Sequence, residues 1–220
     1  MPVTELTRSA TVRRKPSHGP KHEDRKVAIL RTAAQLFAQH GYEGTSLDMV
    51  AEQLGMHKAT LYHYIRSKDE VLYQCIVKSF EDLDTVILKM HNRQVPVLDR
   101  LREFALRLSH AQNNDFGRCL VMVGLRPLQL TPESDLRKFQ RKLDQTVRDL
   151  VTEGIAAGDI KPCNPGLVSA MLFGTLNWVP QWFRQEGKLT VDDIVNTFVD
   201  MLAFGVATSA GPRGAGPQKS

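Results

Sequence analysis

Hydrogen-bonding side chains are concentrated in the segment that runs from His57 to Lys68. Lys58 can donate to the edge of a guanine or to a phosphate oxygen, and Thr60 can donate or accept at the edge of a base. The methyl group of Thr60 or of Ala59 can also meet the methyl group of a thymine. Together these residues offer the chemistry of hydrogen-bonded and apolar contact with base pairs.

The same segment carries side chains suited to phosphate. Tyr62 and Tyr64 each hold a hydroxyl donor on a rigid arm, which suits a phosphate oxygen, although packing of one of the two inside the protein is an equally good interpretation. His57 is expected on the same outward surface, and His63 can contact either a base or a phosphate. Lys68 stands where a helix is predicted to begin, and the free N–H groups and the dipole of a helix N-terminus favour an anion there.

Two short helices are predicted to present these groups. In the stretch TSLDMVAEQLGMHKATLYHYIRSK a glycine-containing turn at 55–57 separates a helix capped by Thr45 or Ser46 from a second helix over 58–64. Such a second helix fits a major groove about 12 Å wide, and Thr45 and Ser46 are included in the predicted DNA-binding surface. The plain alternative is a helical hairpin with exposed polar residues. The residues expected to hold the two helices together are Val50, Ala51, Leu54, Leu61 and Ile65.

Helical spacing of apolar residues recurs through the rest of the chain, and no long stretch alternates apolar and polar residues as a strand would. We therefore expect an all-α protein of about nine helices. Besides the two short helices, the expected spans are Glu23 or Asp24 to Gly41, Ser67 to about His91, and about 97–112, 116–129, 132–157, 164–185 and 190–206.

The positive charge of the chain is concentrated at its ends. The net charge is +5, of which residues 1–22 carry +4 and residues 208–220 carry +2, so that the body carries −1. Both ends are predicted to be disordered from their composition. Any binding of a polyanion by the body must then depend on local geometry. The N-terminal tail is interpreted as a solvated extension, with an arm that enters the minor groove as the alternative.

Composition and spacing argue against several other classes. No apolar run is long enough for a membrane span or a signal peptide, so we expect a cytoplasmic protein. Of the seven histidines only His18 and His22 have the HxxxH spacing, and two ligands alone do not make a metal site, so none is predicted. Three widely spaced cysteines, Cys75, Cys119 and Cys163, are interpreted as reduced, buried structural thiols.

One family shows the same order of motifs. Phe37-Ala38-x-x-Gly41-Tyr42, Thr45-Ser46, Val50-Ala51, Gly55 and Leu61-Tyr62-x-Tyr64-Ile65-x-Ser67-Lys68 resemble the TetR/AcrR repressors over about 45 residues. The resemblance implies a head over 23–83 and a ligand-binding and dimerisation domain over 84–207, between the tails at 1–22 and 208–220. It also implies a homodimer in which the last two long helices of each subunit pair. Met49, Tyr64 and Ile65 depart from the family pattern, which leaves open the bases that are read.

A ligand cavity is expected in the second half of the chain, where large apolar groups alternate with a few polar ones. Core packing or a dimer interface is the alternative for each residue. If Arg118 and Arg184 reach the cavity, they favour an acidic ligand such as a fatty acid or an acyl-thioester. The predicted lining residues are Arg118, Met122, Leu125, Met171, Phe173, Asn177, Trp178, Trp182 and Arg184.

These expectations combine into a repressor that binds a near-palindromic duplex operator as a homodimer. The two recognition helices would lie about 34 to 36 Å apart or a multiple of that distance, and a small-molecule inducer would alter the spacing. The alternative is a DNA-bound scaffold that answers to a protein partner and takes no small-molecule inducer. An enzyme with a DNA-binding head is a third class, but the sequence offers no convergent catalytic set.

Overall fold

A computed structural model describes residues 20–81 and 83–205, and both predicted tails lie outside this part of the chain, apart from the first residues of α1. The described residues form ten α-helices and one 3₁₀ helix, and no strand. The α-helices are α1 (Pro20–His40), α2 (Leu47–Gln53), α3 (Lys58–Leu61), α4 (Lys68–Phe80), α5 (Leu83–Lys89), α6 (Val97–Asn113), α7 (Asp115–Val123), α8 (Asp135–Ala157), α9 (Pro165–Trp182) and α10 (Val191–Phe204). The predicted all-α fold is therefore confirmed.

The first three helices form a small head around a closed apolar core. Phe37 of α1 and Leu61 of α3 are both fully buried, and Val50 of α2 lies between them in the sequence and is also buried. The turn between α2 and α3 depends on Gly55, whose φ of +60° lies in the left-handed region that favours glycine. The helix-turn-helix predicted from the sequence is thus present, with α3 as a single turn that ends at Leu61.

The cap of α2 differs from the expected capping box. Ser46 is the N-cap, and its hydroxyl accepts a hydrogen bond from the backbone N–H of Met49. Thr45 lies inside the head, only 3% exposed, and its hydroxyl is within hydrogen-bond distance of the carbonyl oxygens of Leu36 and Gly41. The hydroxyl of Thr45 therefore links the start of α2 to the end of α1.

The predicted long helix over 67–91 is divided into α4 and α5. No glycine or proline lies at the division, so helix propensity gives no reason for it. Phe80 at the end of α4 and Leu83 at the start of α5 are both buried, and α5 packs against α6. The division lets both apolar groups be buried while α5 packs on α6. This division accounts for one more α-helix than the sequence predicts.

The body is built around α6 and α7. Helix α7 packs against α1, α4, α6 and α9, while α10 packs on α6 and α8 on α9. A side chain at Gly117 would clash with the backbone of α6, because its Cβ would lie 1.8 Å from the carbonyl oxygen of Ala111. Only glycine lets these two helices approach so closely.

Sequence signals mark the starts of the last two helices correctly. The side chain of Asn164 accepts hydrogen bonds from the backbone N–H groups of Gly166 and Leu167, which caps α9. Thr190 and Asp193 form a reciprocal capping box at the start of α10.

Candidate functional site

The recognition segment presents most of its polar groups to solvent. His57, Lys58, Ala59 and His63 are exposed, and Tyr62 is 45% exposed. These residues are the exposed groups in and beside α3.

Thr60 is half-buried beside these exposed groups, whereas Leu61 is fully buried and anchors α3 to the head. The alternation of an exposed and an anchored side in so short a helix is what a groove-reading helix requires.

Lys58 is held by an acidic residue of the preceding helix. Its Nζ lies 2.8 Å from Oδ1 of Asp48. The hydrogen bond and the charge of Asp48 raise the pKa of Lys58. Both side chains are more than half exposed, at 59% and 60%, so this ion pair is weak and easily exchanged for a phosphate or a base. The sequence analysis did not predict this pair.

Lys68 is positioned by an aromatic ring. Its Nζ lies 4.1 Å from the centroid of the Tyr42 ring, and the Tyr42 hydroxyl donates to a carboxylate oxygen of Asp69. Burial, the hydrogen bond to Asp69 and the charges of Asp69 and Glu43 raise the pKa of Tyr42 to about 12. The ammonium group of Lys68 is thus fixed at the first turn of α4, as the sequence predicts for a phosphate contact.

Three of the predicted DNA-binding residues have contacts within the head. Tyr64 is half-buried and stacks on His22 of α1, with ring centroids 4.6 Å apart. Thr45 is buried, so its side chain does not belong to the outer surface to which the sequence assigned it. Ser46 is exposed but is engaged as the N-cap of α2.

A cavity of about 520 Å³ lies in the body between α4, α6, α7, α8 and α9. This volume is within the range of small-molecule sites, about 300 to 1,000 Å³. Its walls are mainly apolar, with a few amide, hydroxyl and carboxylate groups. The lining residues are Ser79, Phe80, Leu83, Leu108, Ala111, Gln112, Gly117, Leu120, Val121, Gly124, Gln140, Leu143, Asp144, Ala170, Phe173, Asn177 and Gln181.

Of the nine residues predicted to line such a cavity, Phe173 and Asn177 do so. Met171, Trp178 and Trp182 lie on the outer face of α9 instead, at 52%, 65% and 41% exposure. Large apolar residues occur on both sides of α9, so the sequence alone predicts that both faces line the cavity. The face that lines the cavity carries Phe173 and the amides of Asn177 and Gln181, which are also exposed to solvent.

The two arginines predicted to receive an acidic ligand are not among the described residues that line the cavity. Arg118 lies on α7 about 100° around the helix axis from the lining residue Gly117. Arg184 is exposed beyond the end of α9. Met122 is half-buried away from the cavity, and Leu125 is packed in the core at 5% exposure.

Two polar cavity residues were missed by the sequence analysis. Gln112 of α6 donates a hydrogen bond to the side-chain oxygen of Asn177 across the cavity wall. Asp144 of α8 accepts hydrogen bonds from Ser169 at 2.5 Å and from Arg148 at 2.7 Å. Burial raises the pKa of Asp144, but these two hydrogen bonds and the charge of Arg148 outweigh it, so that the pKa is lowered. No sequence motif marks Gln112 or Asp144, because each is one polar residue in an amphipathic helix.

Family models match both parts of the chain. Residues 29–75 match the model for bacterial regulatory proteins of the tetR family, and residues 94–206 match the tetracyclin repressor-like C-terminal domain. The chain belongs to the tetR family.

Relatives of this tetR-family protein carry regulator names. It is 25% identical over 191 residues to the HTH-type transcriptional regulator YhgD of Bacillus subtilis, covering 78% of this chain and 91% of that protein. It is 23% identical over 193 residues to the fatty acid metabolism regulator protein of Bacillus subtilis, covering 82% and 94%. The crystal structure of AibR in complex with isovaleryl coenzyme A and operator DNA is 26% identical, with a TM-score of 0.68, covering 81% of this chain and 98% of that chain.

The cysteines of this tetR-family protein differ in their surroundings. Cys75 and Cys119 are buried, and burial raises the pKa of both thiols, that of Cys119 to about 12. Cys163 is exposed, so the prediction that all three are buried was wrong for this residue.

Within residues 20–81 and 83–205, no group of three or more His, Cys, Asp or Glu residues could hold a metal ion. Among the helices in this part of the chain, none is both long and apolar enough to cross a bilayer.

Proposed function

We propose that this tetR-family regulator represses transcription by binding a near-palindromic operator as a homodimer, and that a small molecule in the body releases it. The DNA-reading surface consists of the exposed groups around α3, together with Lys68. We propose that the protein acts by binding alone, without catalysis, as the regulator names of its relatives suggest. We place this activity in the cytoplasm, where the operator lies.

One observation carries the proposal: α4 reaches from the DNA-reading surface to the cavity. Its first residue, Lys68, stands beside Tyr42 of the head, and two residues at its other end, Ser79 and Phe80, line the cavity. A ligand that displaces Ser79 or Phe80 therefore moves the same rigid element that supports the head. Because two heads must match two successive major grooves, a small rotation of α4 is enough to lower operator affinity.

Helix α7 provides a second connection between cavity and head. Gly117, Leu120 and Val121 of this helix line the cavity, as does Gly124 just after it, and α7 also packs against α1. At its N-terminus Asp115 accepts a hydrogen bond from Gln35 and lies 3.4 Å from Nε of Arg31, both on α1. A ligand that moves α7 therefore also acts on the head.

The outer face of α9 and the end of α10 supply a surface for the second subunit. Leu167, Met171, Trp178 and Trp182 share one side of α9 at helical spacing, and all are exposed. On α10, Phe204 is 72% exposed. Large apolar side chains grouped in this way are typical of an oligomer interface. We propose that these two helices pair with those of the partner subunit.

For the effector, the sequence predicts a fatty acid or an acyl-thioester. This class is supported by the names of two similar proteins, the fatty acid metabolism regulator and AibR in complex with isovaleryl coenzyme A. The apolar lining around Phe173 suits an acyl chain. The arginines that were expected to bind an acidic group do not line the cavity. We therefore propose an effector with an apolar body, whose polar group is bound by the polar lining residues.

A release assay tests the proposal. The operator is the duplex that the protein selects from a random pool, and its affinity is measured by fluorescence anisotropy against a library that includes fatty acids, acyl-thioesters, alcohols and amines. The matched variants are Ala111→Phe, which fills the cavity, and Ala156→Phe, which adds the same group to an exposed site on α8. We expect at least one compound to release DNA from the native protein and from Ala156→Phe but not from Ala111→Phe.

The opposite outcome would favour the scaffold alternative. If no compound lowers operator affinity, or if Ala111→Phe responds as the native protein does, the cavity is not the site of control and a protein partner is the better hypothesis.

A further inference from the structure

One polar atom that lines the cavity has no hydrogen-bond partner in the protein. Gln112 is only 7% exposed, and its Oε1 has no hydrogen-bond partner in the protein, while its Nε2 donates to Asn177. A buried acceptor without a partner costs free energy that a ligand can recover by donating a hydrogen bond to it. The lining therefore offers a specific place for one donor group.

The charge of the lining disfavours an anionic ligand. Asp144 is the one ionisable group among the described lining residues, and hydrogen bonds from Ser169 and Arg148 hold it as a carboxylate. Arg148 offsets part of this charge from outside the lining, but no cation among the described lining residues faces an anionic group on a ligand, which Asp144 therefore repels. A neutral or cationic group meets no such penalty.

The helix register places these two features at opposite ends of an apolar stretch. Ser169, Phe173 and Asn177 succeed one another at intervals of about one helical turn along α9, with Ser169 buried, Phe173 half-buried and Asn177 exposed at the rim of the cavity. Ser169 holds Asp144, and Asn177 holds Gln112, so the two polar groups are separated by about 12 Å along α9. The ring of Phe173 lies between them. An elongated apolar molecule with a polar end fits this arrangement.

We infer that the cavity takes an apolar small molecule whose polar end is a hydrogen-bond donor, neutral or cationic, bound by Gln112 Oε1, and that it disfavours anionic ligands because of Asp144. The inference rests on the proposed function for the role of the cavity, but the chemistry of the site is separate from the response of the DNA.

Calorimetric titration of the DNA-free protein with four probes of equal chain length tests the inference. The probes are octylamine, octanol, octanoate and octanoyl coenzyme A, which share an apolar chain and differ in the polar end. We expect octylamine and octanol to bind at least tenfold more tightly than octanoate and octanoyl coenzyme A. A single hydrogen bond to a buried acceptor supports a difference of about this size.

Variants assign the effect to the two residues. Gln112→Leu removes the acceptor and is expected to weaken octanol about tenfold, while Gln94→Leu, an exposed residue outside the cavity, leaves the affinity unchanged. Gln112→Glu retains an acceptor and is expected to retain octylamine binding. Asp144→Asn is expected to strengthen octanoate binding, and Asp159→Asn, at an exposed site after α8, is its control.

Tighter binding of octanoate or octanoyl coenzyme A, no binding of octylamine and octanol, or indifference to Gln112→Leu would each overturn the inference. None of these outcomes changes the result of the release assay, in which Ala111→Phe tests whether the cavity controls DNA binding. Failure of the ligand class and failure of the proposed function are therefore distinguishable.

Discussion

The head and the cavity differ in how far their polar groups are exposed and whether they have hydrogen-bond partners. On the head, Lys58 and Asp48 are both more than half exposed and are already paired with each other. In the cavity, Gln112 is almost completely buried and leaves one oxygen without a partner. The first arrangement loses little when DNA replaces one partner, because exposed ion pairs are weak. The second gains most when a ligand arrives, because a buried unpaired oxygen is costly.

This difference suits two tasks. A surface that must slide along DNA and test many sites benefits from contacts that exchange easily. A pocket that must select one class of molecule benefits from a group that only the right ligand satisfies.

The largest effect is expected from the anchor of α3. Leu61→Ala removes a fully buried side chain from the head core, and such truncations cost about 2 to 5 kcal/mol. We expect loss of operator binding and a lower free energy of unfolding, measured by urea denaturation. Leu88→Ala, at a site 70% exposed on α5, is the control and should change stability little. Equal stability of both variants would mean that the head does not depend on a closed core.

The next effect concerns base preference. Thr60 is half-buried at the edge of the recognition surface, and Thr60→Ala should change the preferred base at one position of each half-site, at a cost of about 1 to 3 kcal/mol. Thr131→Ala, an exposed threonine outside the head, is the matched control. Binding of all duplexes with native affinity and preference would show that α3 is not the reading helix.

Removal of the buried polar side chain of Gln112 is expected not to destabilise the protein. Because Oε1 of Gln112 is buried and unpaired, Gln112→Leu should leave the ligand-free protein as stable as before or raise its free energy of unfolding by about 1 kcal/mol. Gln94→Leu at an exposed site should have no effect beyond experimental error. Gln112→Leu also removes the amide donor to Asn177, but Asn177 is exposed and its oxygen can accept from water instead. A clear loss of stability in Gln112→Leu alone would mean that the Gln112 amide is on balance satisfied in the free protein, which would contradict an unpaired oxygen.

Lys68 is expected to act on all DNA sequences alike. Lys68→Ala removes the ammonium group at the first turn of α4, so affinity should fall for every duplex and the slope of log affinity against log salt should become shallower by about one. Lys188→Ala, at an exposed site of the body, should leave the slope unchanged. A loss confined to one operator sequence would assign Lys68 to base reading instead.

The smallest effect is a dependence on pH. The pKa of Tyr42 is raised from 10.0 to about 12, so between these values the folded state holds a proton that the unfolded state has released. The contribution of Tyr42 to stability is therefore complete below pH 10 and is lost as the pH rises toward 12. The stability difference between the native protein and Tyr42→Phe should shrink over this range in urea unfolding. A difference that does not change with pH would mean that neither burial nor Asp69 raises the pKa of Tyr42.

The head was largely predictable because its features are local. Gly55, the inward Val50 and Leu61, and the outward residues after His57 follow from spacing alone. What spacing does not reveal is which neighbour a side chain turns toward. Thr45 is turned to the carbonyl oxygens of α1, and Tyr64 to the ring of His22, across distances in sequence that no local pattern encodes.

The cavity was less predictable because a void is a property of several helices together. Helix α9 has large apolar residues on two faces, and only the packing of its neighbours decides which face looks inward. Asn177 and Phe173 were predicted correctly, whereas Trp178 was assigned to the wrong face. Gln112 gives no signal, because an isolated glutamine near the end of a helix is usual at the surface.

Selection of duplexes from a random pool tests the central claim most directly, namely that an exposed α3 is presented twice by a symmetric pair of subunits. We expect enrichment of a near-palindromic site whose half-sites lie about one helical turn or a multiple of it apart. The selected bases should change in Thr60→Ala and stay the same in Thr131→Ala. Selection of no site, or of a site without two-fold symmetry, would contradict the account.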